Sequence, residues 1–166
     1  MWSPWRMAYL VSEKIEGCIL CQKEAENADE ANLIVHRSKH SFIVLNLYPY
    51  NNGHLMVVPN RHIPSLENLD DEELLDLMMT VNLGLAALRN AMSPEGFNIG
   101  INLGKAAGAG IDGHMHVHVV PRWQGDTNFM PVLAETRVIP ECLPDTRRRL
   151  VEVIKNILPR PTTQEK

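Results

Sequence analysis

The sequence predicts an α+β domain: a five-stranded, mainly antiparallel sheet with one long helix between strands three and four and a C-terminal helix. Three observations carry this. Short apolar or alternating runs bounded by turn formers fall at residues 33–36, 41–45, 54–58, 97–103 and 114–120. A helical apolar period opens at Asp70, and a second opens near Asp145. A helix inserted once into a strand meander, rather than between every pair, favours an antiparallel sheet over a parallel one.

Residues 1–16 form an N-terminal arm rich in aromatics (Trp2, Trp5, Tyr9). Exposed indoles leave costly apolar surface in water, so the arm is expected to pack on its own domain or on a partner subunit. Cys18-Ile19-Leu20-Cys21 follows Gly17 in what reads as a short connector, and residues 24–30 are polar and turn-like. Residues 33–36 and 41–45 read as a hairpin. Residues 46–53, with Asn46, Pro49, Asn51, Asn52 and Gly53, read as a loop. Strand 54–58 is nearly all apolar, which suits a central position covered on both faces, and Pro59 ends it.

Asp70 followed by Glu73 has the pattern of a capping box, with Asp71 and Glu72 adding negative charge at the positive end of the helix dipole. Leu74, Met78, Val81, Leu85, Leu88 and Met92 form the predicted core-facing stripe. Leu77, Met79 and Leu83 widen the apolar surface enough to share with another subunit. Residues 93–96 stop the helix. Residues 104–113 hold four glycines and three alanines, a backbone-exposing loop able to bring amides close to an anion. The histidine strand follows, then a long loop over residues 124–140. The last helix, from Asp145, carries Leu150, Val153, Ile154, Ile157 and Leu158 on its apolar side. Residues 17–158 thus make one domain, and 159–166 a flexible tail.

Composition narrows the function classes. The chain has 166 residues, of which 45% are apolar, and a formal charge of −4 from 16 basic and 20 acidic side chains, which gives no general nucleic-acid signature. No apolar run reaches membrane-spanning length and no leader precedes the first strands, so a cytoplasmic protein with no membrane or nucleic-acid partner is expected. Three cysteines, two spaced C-x-x-C, fit a reducing compartment better than a disulfide scaffold.

The chemistry concentrates in His114-Met115-His116-Val117-His118. On a strand, alternate side chains lie about 6.6 Å apart on one face, so three imidazoles form a row that a polyphosphate, or a metal plus substrate, can span. Histidine serves both as neutral nucleophile or base and as acid near neutral pH. The glycine loop is not a Walker A loop, because the Gly-Lys-Ser/Thr ending is absent; Lys105 is a phosphate contact or a solvated charge. No paired carboxylates sit nearby for a two-metal site, so any magnesium arrives with the substrate. Cys18 and Cys21 supply half of a tetrahedral zinc site, with His36, His40, His54, His62 and His114 as candidates for the rest; plain thiols or a redox pair are the competing uses.

His114-Met115-His116-Val117-His118-Val119-Val120 matches the histidine-triad pattern, and the chain from Trp2 to about Leu158 resembles the bacterial and archaeal diadenosine tetraphosphate phosphorylase branch of the histidine-triad (HIT) superfamily. The Trp2-x-Pro4-Trp5-Arg6 opening, Cys18-x-x-Cys21, the run from Leu45 to Tyr50 leading to Gly53-His54, then Pro59, His62, Pro121-Arg122-Trp123, Gly125-Asp126 and Asn128-Phe129 carry the likeness. The resemblance implies that His116 is the nucleophile, attacking the α-phosphorus of an adenosine polyphosphate to form a covalent nucleotidyl-histidine. It implies that His118 contacts phosphate and assists the leaving group, and that Asn102 hydrogen-bonds near the scissile phosphate. Asn46 takes the ribose position usually held by aspartate, and Phe42, Leu45 and Leu47 are candidates for a base pocket. The resemblance also narrows the structural zinc set to Cys18, Cys21, His62 and His114. His36, His40 and His54 are left over, with His54 the best placed for support.

The branch tends to carry Gly-Ser late in the glycine loop, where this chain has Ala109-Gly110; the Gly108 and Gly110 amides are the candidate replacements for the lost hydroxyl. Trp123 follows the phosphorylase pattern. The expected activity is phosphorolysis of diadenosine tetraphosphate to ADP and ATP. Hydrolysis of dinucleoside polyphosphates or nucleotide phosphoramidates, with water as acceptor, and non-enzymatic nucleotide binding are the alternatives. The resemblance further implies a homodimer.

Overall fold

The computed structural model describes residues 17–126 and 141–158. The expectations for the aromatic arm, most of the long loop and the tail lie outside these residues. Five strands, β1 (Ile34–Arg37), β2 (Ser41–Leu45), β3 (Leu55–Pro59), β4 (Gly96–Ile101) and β5 (Val117–Arg122), form one sheet in the order β1-β2-β3-β5-β4. Every neighbouring pair is antiparallel. The helices are α1 (Ile19–Ala25), α2 (Asp71–Met92) and α3 (Leu143–Ile157). No described helix is long and apolar enough to cross a membrane.

Strand alternation divides the core in two. Ile43, Leu45, Leu55, Val57, Val117 and Val119 face α2 and α3, packing with Leu77, Val81, Leu88, Leu150 and Ile154. Ile34, Phe42, Val44 and Val58 face the other way and pack with Leu20 of α1. As the alternation requires, His116 and His118 fall on the second side, away from α2. The central position expected for β3 is borne out: β2 and β5 flank it, and only Met56 is less than buried.

Four sequence expectations need correction. The Cys18-x-x-Cys21 stretch is not a connector: Cys18 is the N-cap of α1, so both thiols sit on its first turn. The ladder of β5 starts at Val117, so His114 and His116 lie in the approach to the strand. That approach is held by Met115 N–H donating to the Ile63 carbonyl at 2.8 Å. The C-terminal helix begins earlier than Asp145, at Leu143, with Pro144 in the first turn, where its missing N–H costs nothing.

The fourth correction concerns α2. Its buried residues are Leu77, Thr80, Val81, Gly84, Ala87 and Leu88, while Leu74 and Met78 are 41% and 48% exposed. A Cβ on Gly84 would lie 3.5 Å from Leu55 and 3.8 Å from Ile43, so the helix rests on the sheet through its small residues, turned by about one position from the bulkiest stripe. Thr80 is a polar member of that face because its hydroxyl lies 2.9 Å from Ser41 Oγ, to which it donates while Ser41 gives its own proton to Asp76. Ser38 and Ser41 hydroxyls also reach the Asp76 carboxylate at 2.6 Å each, pinning the β1–β2 turn to the helix.

The capping box is present in both directions: Glu73 N–H donates to Asp70 Oδ1 at 2.8 Å, and Asp70 N–H to Glu73 Oε2 at 3.0 Å. Asp70→Ala is expected to cost about 1 kcal/mol, since one helix-end donor loses its acceptor. That corresponds to a fall of roughly 2–4 °C in Tm for a chain of this size, readable by calorimetry.

Candidate functional site

Two constellations meet at His114. In the first, Cys18 Sγ and Cys21 Sγ each lie 3.4 Å from His114 Nδ1, and Cys21 Sγ lies 3.3 Å from His62 Nδ1. These four ligand atoms all fall within 4.8 Å of one another. The sulfur–nitrogen edge of a tetrahedron with Zn–S near 2.3 Å and Zn–N near 2.0–2.1 Å is roughly 3.5 Å, so the donors are spaced to hold a zinc ion. His114 Nε2–H donates to the Pro59 carbonyl at 2.8 Å, which leaves Nδ1 with its lone pair toward the thiols. A backbone carbonyl as orienting partner is what a metal-bound imidazole needs. Gly113 packs closely against the same set: a Cβ there would lie 3.3 Å from His62 Nε2, which would have to shift by a few tenths of an ångström.

The second constellation is a chain of imidazoles whose protons can be assigned from donor chemistry. His116 Nδ1 lies 3.0 Å from the His114 carbonyl, so Nδ1 carries the proton and Nε2 the lone pair. Tyr50 N–H donates to His54 Nδ1 at 3.0 Å. The proton of His54 is therefore on Nε2, which lies 3.0 Å from His118 Nδ1. His118 accepts there and carries its own proton on Nε2. His116 and His118 meet edge to face at 4.8 Å between centroids, and Tyr50 stacks on His118 at 5.8 Å.

Burial keeps these rings neutral. His54 and His114 are fully buried and His116 is 6% exposed. Desolvation, with the neighbouring His118 and His116 adding repulsion, pushes His54 down to about 3. Desolvation first and His116 second push His118 down to about 4. Burial also lowers His116, partly offset by its bond to the His114 carbonyl. The site thus offers a neutral nitrogen lone pair at His116 beside a neutral N–H donor at His118.

Asn46 Oδ1 accepts from Tyr48 N–H at 3.0 Å, which turns its amide nitrogen toward His54 Nδ1 at 3.3 Å. Asn102 follows β4, one step beyond the Ile101↔Val117 pair, which places it at the level of His116. Trp123, at the end of β5, donates its N–H to Asp126 Oδ2 at 3.1 Å. In the glycine loop, Gly104 and Gly108 take positive φ of 77° and 85° around a single 3-10 turn of residues Lys105–Ala107. The Gly108 N–H, a candidate phosphate donor, is engaged by the Lys105 carbonyl at 3.0 Å. The Lys105 side chain, 86% exposed, pairs with Asp112 across the loop at 3.6 Å.

The three base-pocket candidates differ in placement. Phe42 is fully buried among Leu20, Ile34 and Val44, and Leu45 packs toward the helices, on the side of the sheet opposite His118. Leu47, at 55% exposure, is the member of that trio accessible to a ligand. His36 and His40 lie apart, His36 half-buried on β1 and His40 beside Glu72 at 3.4 Å. Sequence reasoning gave His54 only a support role and gave Tyr50 and the carbonyl of His114 none. The signal for His54 was its place two residues before Met56, which pairs with His118; that pairing joins strands distant in sequence and could not be read from spacing.

A HIT domain family model matches residues 27–125. A Mycobacterium tuberculosis protein named AP-4-A phosphorylase is 44% identical over 158 residues, covering 90% of this chain and 81% of the relative. A Schizosaccharomyces pombe asymmetrical bis(5'-nucleosyl)-tetraphosphatase is 37% identical over 93 residues, covering 56% of this chain and 50% of its own. Among solved structures, a Zn-bound histidine triad family protein from Mycobacterium smegmatis superposes with a TM-score of 0.69 at 26% identity, covering 85% of this chain and 95% of that one.

Proposed function

The chain belongs to the HIT domain family, and from that premise we propose that it is a dinucleoside polyphosphate phosphorylase working through a nucleotidyl-histidine. The observation that carries the reading is the complementary proton placement on neighbouring rings: lone pair on His116 Nε2, proton on His118 Nε2. His116 Nε2 attacks the α-phosphorus of diadenosine tetraphosphate, forming a P–N bond as the P–O bond to the β-phosphate breaks. His118 Nε2–H donates a hydrogen bond to the departing oxygen and keeps its proton, so the charge that develops there is stabilised and ATP leaves as its anion. An orthophosphate oxygen then attacks the same α-phosphorus, forming a P–O bond as the P–N bond breaks, which frees His116 and releases the nucleotide as ADP. Asn46 and Asn102 hold the ribose and the scissile phosphate, and the glycine loop presents amides to the polyphosphate.

Cys18, Cys21, His62 and His114 are the residues that would hold zinc, which would supply structural cross-linking rather than substrate contact. Pairing into a homodimer is supported by the exposed Leu75 and Met79 of α2, at 64% and 60%, and by the exposed residues 98–100 of the sheet-edge strand β4. Apolar surface of this kind is costly in water.

Hydrolysis is the second reading, favoured by Ala109-Gly110 and by the Gly108 N–H already engaged in its turn. Incubating the purified protein with diadenosine tetraphosphate with and without orthophosphate decides between them. Phosphorolysis gives ADP and ATP only when phosphate is present; AMP and ATP in its absence would establish water as the acceptor and replace the proposal.

A further inference from the structure

The loop of residues 46–53 sets the proton on His54, and the structure ties that loop to the far end of β5. Asn51 is the tie. Its amide nitrogen donates to the Pro121 carbonyl at 3.1 Å and to Asp126 Oδ2 at 2.8 Å. Its own backbone carbonyl accepts the His54 N–H at 3.2 Å, and its Oδ1 accepts the Asn52 N–H at 3.1 Å. Asn51 therefore stands between Tyr50, whose N–H sets His54 Nδ1, and His54 itself.

Asp126 is built to hold this residue. Its side chain is 10% exposed. Oδ2 accepts from Arg122 Nε at 2.6 Å, from Asn51 at 2.8 Å and from Trp123 N–H at 3.1 Å, and Oδ1 accepts from Arg122 Nη2 at 2.8 Å. Arg122 in turn donates through Nη1 to Asn98 Oδ1 of β4 at 2.6 Å. A carboxylate fixed by a two-point guanidinium bond is a rigid acceptor, and with the Pro121 carbonyl it holds both protons of the Asn51 amide.

We propose that Asn51 and Asp126 are positioning residues for His118. The Arg122–Asp126–Asn51 lock fixes the backbone of residues 50–54, so that the Tyr50 N–H points at His54 Nδ1 and His118 is held with its proton on Nε2, toward the reacting phosphate. Released from the lock, the Tyr50 N–H swings off His54, only the longer 3.3 Å contact from the Asn46 amide still opposes a proton on His54 Nδ1, and the donor that fixes the His118 tautomer is weakened. Neither residue touches substrate. The assignment of a task to His118 rests on the proposed function; the tautomer of His118 does not.

The test uses the full chain, its Asn51→Ala and Asp126→Ala variants, their double variant and Asp126→Asn, which keeps an amide oxygen to accept from Asn51. Long-range 15N–1H spectra of labelled protein read the tautomers of His54 and His118, and steady-state kinetics with diadenosine tetraphosphate and orthophosphate read kcat and KM separately. In the wild type His118 is expected as a single Nε2–H tautomer. In Asn51→Ala and Asp126→Ala its two nitrogen shifts move toward each other, and kcat falls about 10- to 100-fold with KM within about threefold. The double variant is no worse than the single ones, because both cut one linkage. Asp126→Asn keeps most of the wild-type kcat. An unchanged His118 tautomer in Asn51→Ala, whether or not Tm falls, would overturn the proposal, as would a rise in KM alone. Should Asn51→Ala not fold, Asp126→Ala answers the same question by the same spectra. Wild-type protein that fails to turn over the substrate, yet loses the His118 tautomer on Asn51→Ala, would retire the functional reading and leave the positioning role standing.

Discussion

Turnover of diadenosine tetraphosphate is expected to fall about 10⁴-fold or more in His116→Ala, with the fold intact. The expectation follows from the unique state of this ring. Its Nδ1–H is committed to the His114 carbonyl at 3.0 Å, and the lone pair on Nε2 has no substitute, because the neighbouring His118 turns its own lone pair toward His54. A nucleophile cannot be replaced by a ring that presents a proton. Wild-type protein incubated with substrate labelled at the α-phosphate should retain label that survives alkali and is lost in acid, as a P–N bond requires, and His116→Ala should retain none. Residual turnover within about tenfold of wild type would show that water or phosphate attacks directly.

The same burial sets the sign of the pH dependence. Desolvation lowers the pKa of His116, so its lone pair persists as pH falls below the usual histidine range near 6.5. His118, pushed down to about 4, likewise stays neutral across the range in which an exposed histidine would charge. A lowered pKa means that the competent form is lost only as pH descends to the lowered value. The acid limb of kcat/KM should therefore lie below pH 6.5, with a plateau above it; a limb centred at or above 6.5 would contradict the buried, neutral pair.

What could be read from the sequence and what could not divide along physical lines. Strand existence, the capping box at Asp70 and the apolar centre of β3 are local, because they depend on residues within one turn or one strand. The zinc set was reached through family likeness, and the observed meeting of Cys18 and Cys21 with His62 and His114 spans contacts more than 40 and 90 residues apart in sequence. The buried face of α2 departs from its bulkiest apolar stripe because size outweighs hydrophobicity there: Gly84 and Ala87 let the helix approach the sheet. Phe42 and Leu45 were indistinguishable in sequence from pocket residues, since a full core and a nucleobase slot ask for the same side chains. The proton assignments were illegible altogether: they depend on a backbone N–H at Tyr50 and a carbonyl at His114, groups that every residue possesses and that only the fold aims.

Removing the metal is expected to cost both stability and catalysis, and His114 is the reason. One ring and one peptide unit of this residue join the two constellations: Nδ1 meets Cys18 and Cys21, Nε2–H bonds Pro59, and the carbonyl holds His116. Zinc analysis should find about one ion per chain and almost none in Cys18→Ala. Loss of a structural metal removes a cross-link between α1, the segment after β3 and the approach to β5, worth about 3–5 kcal/mol here, or a fall in Tm of roughly 10 °C or more. With His114 less restrained, its carbonyl no longer fixes the His116 tautomer, so kcat should drop about 10-fold or more while KM changes little. His62→Ala should be milder in both respects, since His62 is the exposed member of the set and a neutral imidazole rather than a thiolate. A metal-depleted protein with unchanged Tm and kcat would sever this link and reduce the Cys–His cluster to four neighbours without a task.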